Sequence, residues 1–267
     1  MHRWLATCSV SLVLGACGAA DGGDSSPTAQ SSKDAGAQGD AGMASAPPPR
    51  SGGIVVDADA GAPCALEAEV RDFKAEHIDF EGPLNEQVIT GLVETTLGPD
   101  QKPRIKTMAA KAAGIAAFDD WYNDREGVNT SVPVALTLAE TGNGVFVFDS
   151  DAFFPIDGRG FGSEARPHNY HFTTEIHTKF TYQRGQVFTF KGDDDLWIFV
   201  NNKLALDLGG LHQELTGTID FDAKAAELGI VAGQTYPMDI FHAERHTTAS
   251  RFTITTNIEC FENVMVI

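Results

Sequence analysis

Residues 171–182 of this chain alternate between apolar and polar side chains with a period of two. Phe172, Ile176 and Phe180 fall on one side of the run, while Glu175 and Lys179 fall on the other. Such alternation is typical of a β-strand whose one face packs on a core. Similar runs occur at residues 133–138, 144–149, 186–191, 196–200, 204–208, 218–221, 235–243 and 251–258.

Helical patterns are fewer. Residues 222–228 are the best helix candidate, with Asp222 as its N-cap and Gly229 at its C-terminal end. Residues 106–113 and 116–123 are further candidates for short helices. Many short strands with one or two helical insertions predict a mainly β fold, an antiparallel and jelly-roll-like β-sandwich over residues 62–267.

The first 17 residues differ from the rest of the chain. His2 and Arg3 precede a short apolar stretch that ends in Leu14-Gly15-Ala16-Cys17. This arrangement indicates a secretory signal peptide, since the apolar stretch is too short to span a membrane. Its last four residues resemble the lipobox of bacterial lipoproteins. That resemblance implies lipidation of Cys17 and export to the outer membrane or cell surface. An ordinary signal peptide with a chance cysteine is the alternative.

Residues 18–61 consist mainly of Gly, Ala, Ser, Asp and Pro, and they include no aromatic residue. Such a segment buries too little apolar surface to offset the entropy lost on ordering. We therefore predict a flexible tether between the anchor and the folded domain.

The net charge limits the possible partners. The chain has 37 Asp and Glu against 19 Lys and Arg, a formal net charge of -18. A protein that binds nucleic acid through phosphates needs a basic surface, so nucleic acid is excluded as a partner. No apolar run reaches the roughly 18 residues of a membrane span, so we expect membrane contact through the lipid anchor only.

Two cysteines, Cys64 and Cys260, lie near the two ends of the predicted domain. In an oxidising compartment, cysteines in these positions are expected to form a disulfide that ties the terminal segments together. Two unpaired structural thiols are the alternative.

The densest acidic cluster is Asp193, Asp194 and Asp195, directly before the apolar run 196–200. Adjacent carboxylates repel one another, so a fold that holds them together needs a cation or several backbone N–H donors. Dense oxygen ligands suit calcium. Asp207, at the end of the next predicted strand, is a candidate fourth ligand. The alternative is a solvated acidic turn, with Asp207 as a turn former.

The sequence around these acids resembles a known family. Residues 191–212 read KGDDDLWIFVNNKLALDLGGLH. This stretch is similar to the fibro-slime domain, which is related to the carbohydrate-binding domain named after anthrax protective antigen and found in yeast flocculins and epithelial adhesins. Further family-like blocks lie at residues 70–73, 91–98, 121–124, 153–158, 168–173 and 241–246, so the resemblance covers about residues 66–258.

The resemblance implies a β-sandwich that holds a calcium ion through two successive aspartates joined by a cis peptide. In the related adhesins, the ion coordinates vicinal hydroxyls of a sugar. By their place in the motif, the two aspartates are Asp193 and Asp194. The further ligand of the adhesins is an Asn in a later loop, and the loop 246–251, the place to look for it, contains no Asn. The candidate ligand-binding residues are Trp197, His212, Glu244 and Arg245. For Trp197, a place in the core is the alternative.

These features predict a lipid-anchored surface protein whose domain binds glycans or polysaccharide with the help of calcium and without catalysis. A structural component of an extracellular matrix or slime is one alternative. The other is a glycoside hydrolase that uses acids among Asp193, Asp194, Asp207 and Glu244. Two adjacent acids on one turn cannot lie on opposite sides of a sugar, which disfavours the hydrolase.

Overall fold

The computed structural model describes residues 64–82 and 88–264; the predicted signal peptide, Cys17 and the tether lie outside these residues. The strands in the described part are β1 (Ala65–Phe73), β2 (Asn129–Thr137), β3 (Ala139–Gly142), β4 (Val145–Ser150), β5 (Phe172–Thr181), β6 (Val187–Gly192), β7 (Asp195–Val200), β8 (Lys203–Leu208), β9 (Leu215–Asp220), β10 (Thr235–Glu244), β11 (Phe252–Thr256) and β12 (Glu262–Asn263). The helices are α1 (Thr107–Ala113), α2 (Phe221–Leu228) and a 3₁₀ turn at Phe118–Asp120.

These strands form two antiparallel sheets. The larger sheet has the order β2-β1-β5-β10-β7-β8, and β12 pairs with the end of β5. The smaller sheet has the order β3-β4-β11-β6-β9. The predicted antiparallel β-sandwich with two short helices is confirmed. Within residues 64–82 and 88–264, no helix is both long enough and apolar enough to cross a membrane.

The main core lies between the two sheets. Phe172, Ile176 and Phe180 of β5 face it, as the alternation in the sequence predicts, and Phe190 and Ile254 face it from the smaller sheet. Each of these side chains is at most 1% exposed. At about 1.5–3 kcal/mol for each large apolar side chain that is fully buried, this core is the main stabilising element of the sandwich.

The larger sheet is also covered on its outer face. Trp197, Phe199 and Phe241 point away from the main core and pack against apolar side chains from residues 89–122. All six residues of β7 are therefore buried. The face of β5 that carries Glu175 and His177 is covered as well. The alternation in the sequence predicts only one buried face per strand, so this third layer is a finding of the structure.

Local signals predicted some element ends correctly and others not. Gly229 ends α2 with a φ of 70°, as expected, but the N-cap is Asp220, whose side chain accepts a hydrogen bond from the Ala223 N–H. Asp222 instead lies in the first turn. Of the predicted helix 116–123, only the 3₁₀ turn forms. Strand β1 was not predicted, although Leu66, Ala68 and Val70 alternate with polar residues there.

The structure has Cys64 and Cys260 as two free thiols, so it does not contain the predicted disulfide. The two side chains nevertheless interact. Burial, followed by hydrogen bonding to Cys260, raises the pKa of Cys64 to about 11. Nearby, the Asn263 side-chain amide donates to the Ala65 carbonyl at 2.9 Å. The two ends of the domain therefore lie side by side, which is the arrangement that a disulfide requires.

A band of charged side chains lies under the third layer. The ring nitrogens of His177 are 2.7 Å from Asp239 Oδ1 and 2.8 Å from Glu175 Oε1. Arg71 pairs with Glu175 from the neighbouring strand. Burial alone would lower the pKa of His177, but the hydrogen bonds and charges of Asp239 and Glu175 outweigh it and raise that pKa to about 9. The protonated imidazole therefore stabilises the fold.

We expect the free energy of unfolding to fall as pH rises from about 6.5 to about 9. A histidine whose pKa is higher in the folded state than in the unfolded state stabilises the fold fully below its unfolded pKa of about 6.5, and the contribution is lost as pH passes its folded pKa. The loss should be about 1–3 kcal/mol, measured by urea unfolding. His177→Asn should flatten this dependence. His168→Asn, at a more exposed histidine paired with one carboxylate, should not.

Candidate functional site

At one end of the sandwich, several connections pass from one sheet to the other. Asp193 and Asp194 join β6 to β7, residues 209–214 join β8 to β9, and residues 245–251 join β10 to β11. The strand pairing brings these connections to the same edge, since Gly192 pairs with Phe252 and Asp195 pairs with Ala243. Together they enclose a pocket of about 320 Å³. Its lining consists of residues 193–194, 211–213, 244 and 246–249.

Backbone contacts hold the Asp193–Asp194 turn against the loop 245–251. Asp193 Oδ1 accepts a hydrogen bond from the Arg251 N–H at 2.6 Å, and Asp194 Oδ2 accepts one from the Arg245 N–H at 2.9 Å. Gly192 makes this close approach possible, because a Cβ there would lie 2.4 Å from the Arg251 carbonyl oxygen. The N–H donors expected for the acidic turn are therefore present.

The expected cis peptide between Asp193 and Asp194 is not found. In residues 64–82 and 88–264, the cis peptide joins Thr247 and Thr248, in the facing wall of the pocket. Asp194 instead adopts a φ of 52°, a left-handed conformation that Asp tolerates better than most residues.

Glu244 is the third acid of the pocket. Its side chain is fully buried, and neither carboxylate oxygen makes a hydrogen bond of normal geometry, although the Ser250 hydroxyl and the Asp194 carboxyl group lie next to it. Burial, followed by the charges of Asp194 and Asp193, raises the pKa of Glu244 well above its usual value. Burial also raises the pKa of Asp193, and it raises that of Asp194 to about 6. A buried carboxylate without a partner is costly, so this site favours a bound proton or a bound cation.

Asp195 and Arg245 are bound to each other behind the pocket, which corrects their assignment as metal and ligand-binding residues. Arg245 Nε and Nη2 each lie 2.7 Å from Asp195 Oδ2. The Gly210 N–H donates to the other oxygen at 2.6 Å. Arg245 also donates to the Asp79 carbonyl, and its guanidinium carbon lies 4.8 Å from the centre of the Trp121 ring. The two charged groups therefore neutralise each other, and neither lines the acidic pocket.

Asp207 and Trp197 are likewise bound to each other, and neither lines the pocket. The Trp197 indole N–H donates to Asp207 Oδ1 at 3.0 Å. The Gly91 N–H donates to Asp207 Oδ2 at 2.7 Å. Trp197 is 0% exposed in the outer layer. This corrects both predictions, because an indole in the core cannot stack on a sugar and Asp207 instead anchors the third layer.

His212, a candidate ligand-binding residue, lines the pocket, and so does the loop 246–249. Both ring nitrogens of His212 face backbone carbonyl oxygens, those of Gln213 and Leu208. His242, which is not among the candidate site residues, lies beneath the pocket with Nε2 3.3 Å from the Asp193 carbonyl oxygen. Burial lowers the pKa of His242 to about 3, so its ring is neutral. In the sequence, His242 is recognisable only as a polar residue on the core-facing side of the predicted strand 235–243.

The fold and the pocket together define a two-sheet sandwich with an acidic pocket at the edge where the sheets are connected. Residues 162–261 match the PA14 domain, and this span contains all the pocket residues. The match confirms the predicted relationship to the domain named after anthrax protective antigen. The narrower fibro-slime assignment stays a prediction.

Relatives and solved structures extend the comparison. Protein psiC of Dictyostelium discoideum is 38% identical over 223 residues, which are 74% of this chain and 42% of psiC. Protein psiD of the same organism is 37% identical over 210 residues, which are 72% of this chain and 41% of psiD. The chain thus covers less than half the length of these curated relatives. The A domain of epithelial adhesin 9 from Candida glabrata, solved with Galβ1-4GlcNAc, aligns at 11% identity and a TM-score of 0.35, covering 75% of this chain and 90% of that one.

Arg245→Met should lower the free energy of unfolding by about 3–5 kcal/mol, because it leaves the Asp195 carboxylate buried without its cation. Urea unfolding at pH 7 measures the loss.

The matched control is Arg251→Met, since Arg251 pairs with Glu214 and Asp151 at the surface and its side chain is 33% exposed. Removing that exposed pairing should leave the free energy of unfolding nearly unchanged, because solvent screens it. Equal losses in the two variants would contradict the prediction that the buried Asp195–Arg245 pair stabilises the fold more than the exposed pairs of Arg251 do.

Proposed function

We propose that this domain is a calcium-assisted carbohydrate-binding or adhesion module that acts without catalysis. The observation that carries the proposal is the pocket with three buried carboxylates, of which Glu244 makes no hydrogen bond of normal geometry through either oxygen. A cation in the pocket would offset the cost of burying these groups. The match of residues 162–261 to the PA14 domain supports the same conclusion, since that span contains the whole pocket.

The chemistry of the donor set fits calcium. The acidic side chains of the pocket, those of Asp193, Asp194 and Glu244, offer carboxylate oxygens, which are the hard ligands that calcium prefers. Among the described residues, no three His, Cys, Asp or Glu side chains are already grouped as a metal site. Calcium does not require such a group, because it also accepts backbone carbonyl oxygens and water in irregular geometry.

Asp193 and Asp194 would hold the ion. The bound cation would favour the ionised form of Glu244 beside them, whose pKa burial raises. When bound, calcium would supply open coordination positions for neighbouring hydroxyl groups of a sugar. Gln213, Thr247 and Thr248 line the same pocket and provide polar side chains for further hydroxyl groups. All three acids lie in one small pocket rather than on opposite sides of a cleft, so binding without hydrolysis is the better-supported function.

Calcium should bind to the full chain in detergent, and Asp193→Asn/Asp194→Asn should weaken that binding at least about tenfold, because it removes two anionic ligands. Isothermal titration calorimetry measures both affinities. Binding to a glycan array should then require calcium and be lost on chelation.

The matched control is Asp119→Asn/Asp120→Asn, which removes the same charge from an adjacent acidic pair outside the pocket. It should bind calcium as the wild type does. Equal affinity in the pocket variant would contradict the calcium site. An array without signal at millimolar calcium would favour a structural matrix or slime component, and turnover of a glycan would favour a glycoside hydrolase.

We further propose that the chain is exported and anchored to the outer membrane or cell surface by lipidated Cys17. Residues 14–17 carry the lipobox-like sequence that supports this proposal. Acyl chains on Cys17 would give stable membrane attachment. Cys17→Ala should move the protein from the detergent phase to the aqueous phase in a phase-partitioning assay of expressing bacteria. Cys8→Ala is the matched control and should leave the partitioning unchanged; equal behaviour of the two variants would contradict the anchor.

A further inference from the structure

We propose that Glu81 is a positioning residue that holds the loop 245–248 in the shape of the pocket wall. Glu81 does not line the pocket itself. The inference rests on the proposed function of the pocket, and it adds a residue from a distant part of the chain on which the affinity of that pocket depends.

Three hydrogen bonds join Glu81 to the loop. The Glu81 N–H donates to the Arg245 carbonyl oxygen at 2.9 Å. Glu81 Oε1 accepts from the Thr247 N–H at 3.3 Å, and Glu81 Oε2 accepts from the Thr247 hydroxyl at 3.4 Å. One residue therefore binds the loop at both Arg245 and Thr247. His246, between these two points, lines the pocket, and so does Glu244, directly before Arg245.

Two histidines surround the same carboxylate. His171 Nε2 lies 2.7 Å from Glu81 Oε1, and His246 Nε2 lies 3.7 Å from Glu81 Oε2. His171 is buried directly before β5, so it connects Glu81 to the larger sheet. Burial opposes the charge on Glu81, but the contacts with His171, His246 and Thr247 outweigh it and keep the pKa of Glu81 below its usual value. Burial also lowers the pKa of His171, so a neutral imidazole donates the hydrogen bond to Glu81. An ionised carboxylate is the stronger acceptor for the Thr247 donors.

The segment that carries Glu81 is itself fixed. The Asp79 carboxylate accepts hydrogen bonds from the Ala116 and Ala117 N–H groups and from the Trp121 indole. The Asp79 carbonyl accepts one from Arg245. Residues 79–81 therefore join the third layer to the end of β10, and Glu81 extends this connection to the pocket loop.

The contacts of Glu81 with the loop predict the effect of removing its side chain. Without its acceptors, Thr247 loses both polar contacts to Glu81, and residues 246–248 gain freedom before a ligand binds. Binding then costs the entropy of ordering the loop, so the affinity falls although every pocket residue is still present.

The test compares Glu81→Ala, Glu81→Gln and Glu164→Ala in the full chain in detergent. Glu164 Oε2 lies 3.8 Å from the other ring nitrogen of His171, and Glu164 makes no hydrogen bond to the loop, so it is the matched control. Hydrogen exchange of the amides at 246–249 measures the anchoring without any ligand. Calcium titration measures its effect on binding.

In Glu81→Ala, we expect exchange of the 246–249 amides to accelerate at least about fivefold and calcium affinity to fall about tenfold, with the unfolding temperature within a few degrees of wild type. Glu81→Gln keeps an oxygen acceptor and should recover part of both effects. Glu164→Ala should change neither.

Unchanged exchange in Glu81→Ala would overturn the proposal, and so would faster exchange with unchanged calcium affinity. Equal effects in Glu164→Ala would overturn it too, since they would report loss of charge near His171. If the wild type takes up no calcium, the proposed function of the pocket fails, and the exchange comparison still decides whether Glu81 holds the loop.

Discussion

The buried ion pair between Asp195 and Arg245 holds together the end of the domain that contains the acidic pocket. Asp195 begins β7, and Arg245 directly follows β10, its neighbour in the larger sheet. The same guanidinium contacts the Asp79 carbonyl and the Trp121 ring. A charge buried at 0% exposure is tolerable only with its partner, so the pair requires both strands and the third layer to be in place.

That pair also explains why the acidic turn forms a pocket. With Asp195 neutralised from behind, Asp193 and Asp194 are left at the crossing between the sheets and bound mainly by backbone N–H groups. Glu244, one residue before Arg245, adds a third carboxylate, which makes no hydrogen bond of normal geometry. Arg245 thus neutralises Asp195, while Asp193, Asp194 and Glu244 lie together in the pocket. In our proposal, calcium occupies that place.

Several features of the fold could be predicted from the sequence because they depend on neighbouring residues. The alternation of Phe172, Ile176 and Phe180 predicted the inner face of β5, and Gly229 predicted the end of α2. The acidic run predicted that backbone N–H donors or a cation would hold the turn before β7, because adjacent carboxylates repel one another, and such donors contact Asp193 and Asp194. Asp195 could not be separated from its two neighbours, because its role depends on Arg245, fifty residues later.

The sequence by itself determined the mainly β class, the strand faces and the location of the acidic turn, because periodicity and local charge act over a few residues. Only the tertiary structure decided which acids remain available to a ligand. Asp207 and Trp197 satisfy each other in the third layer, Asp195 is neutralised by Arg245, and Glu244 is left without a hydrogen bond of normal geometry. These outcomes depend on contacts between crossover connections and on a second face of the sheet that is buried, and neither leaves a periodic signal along the chain.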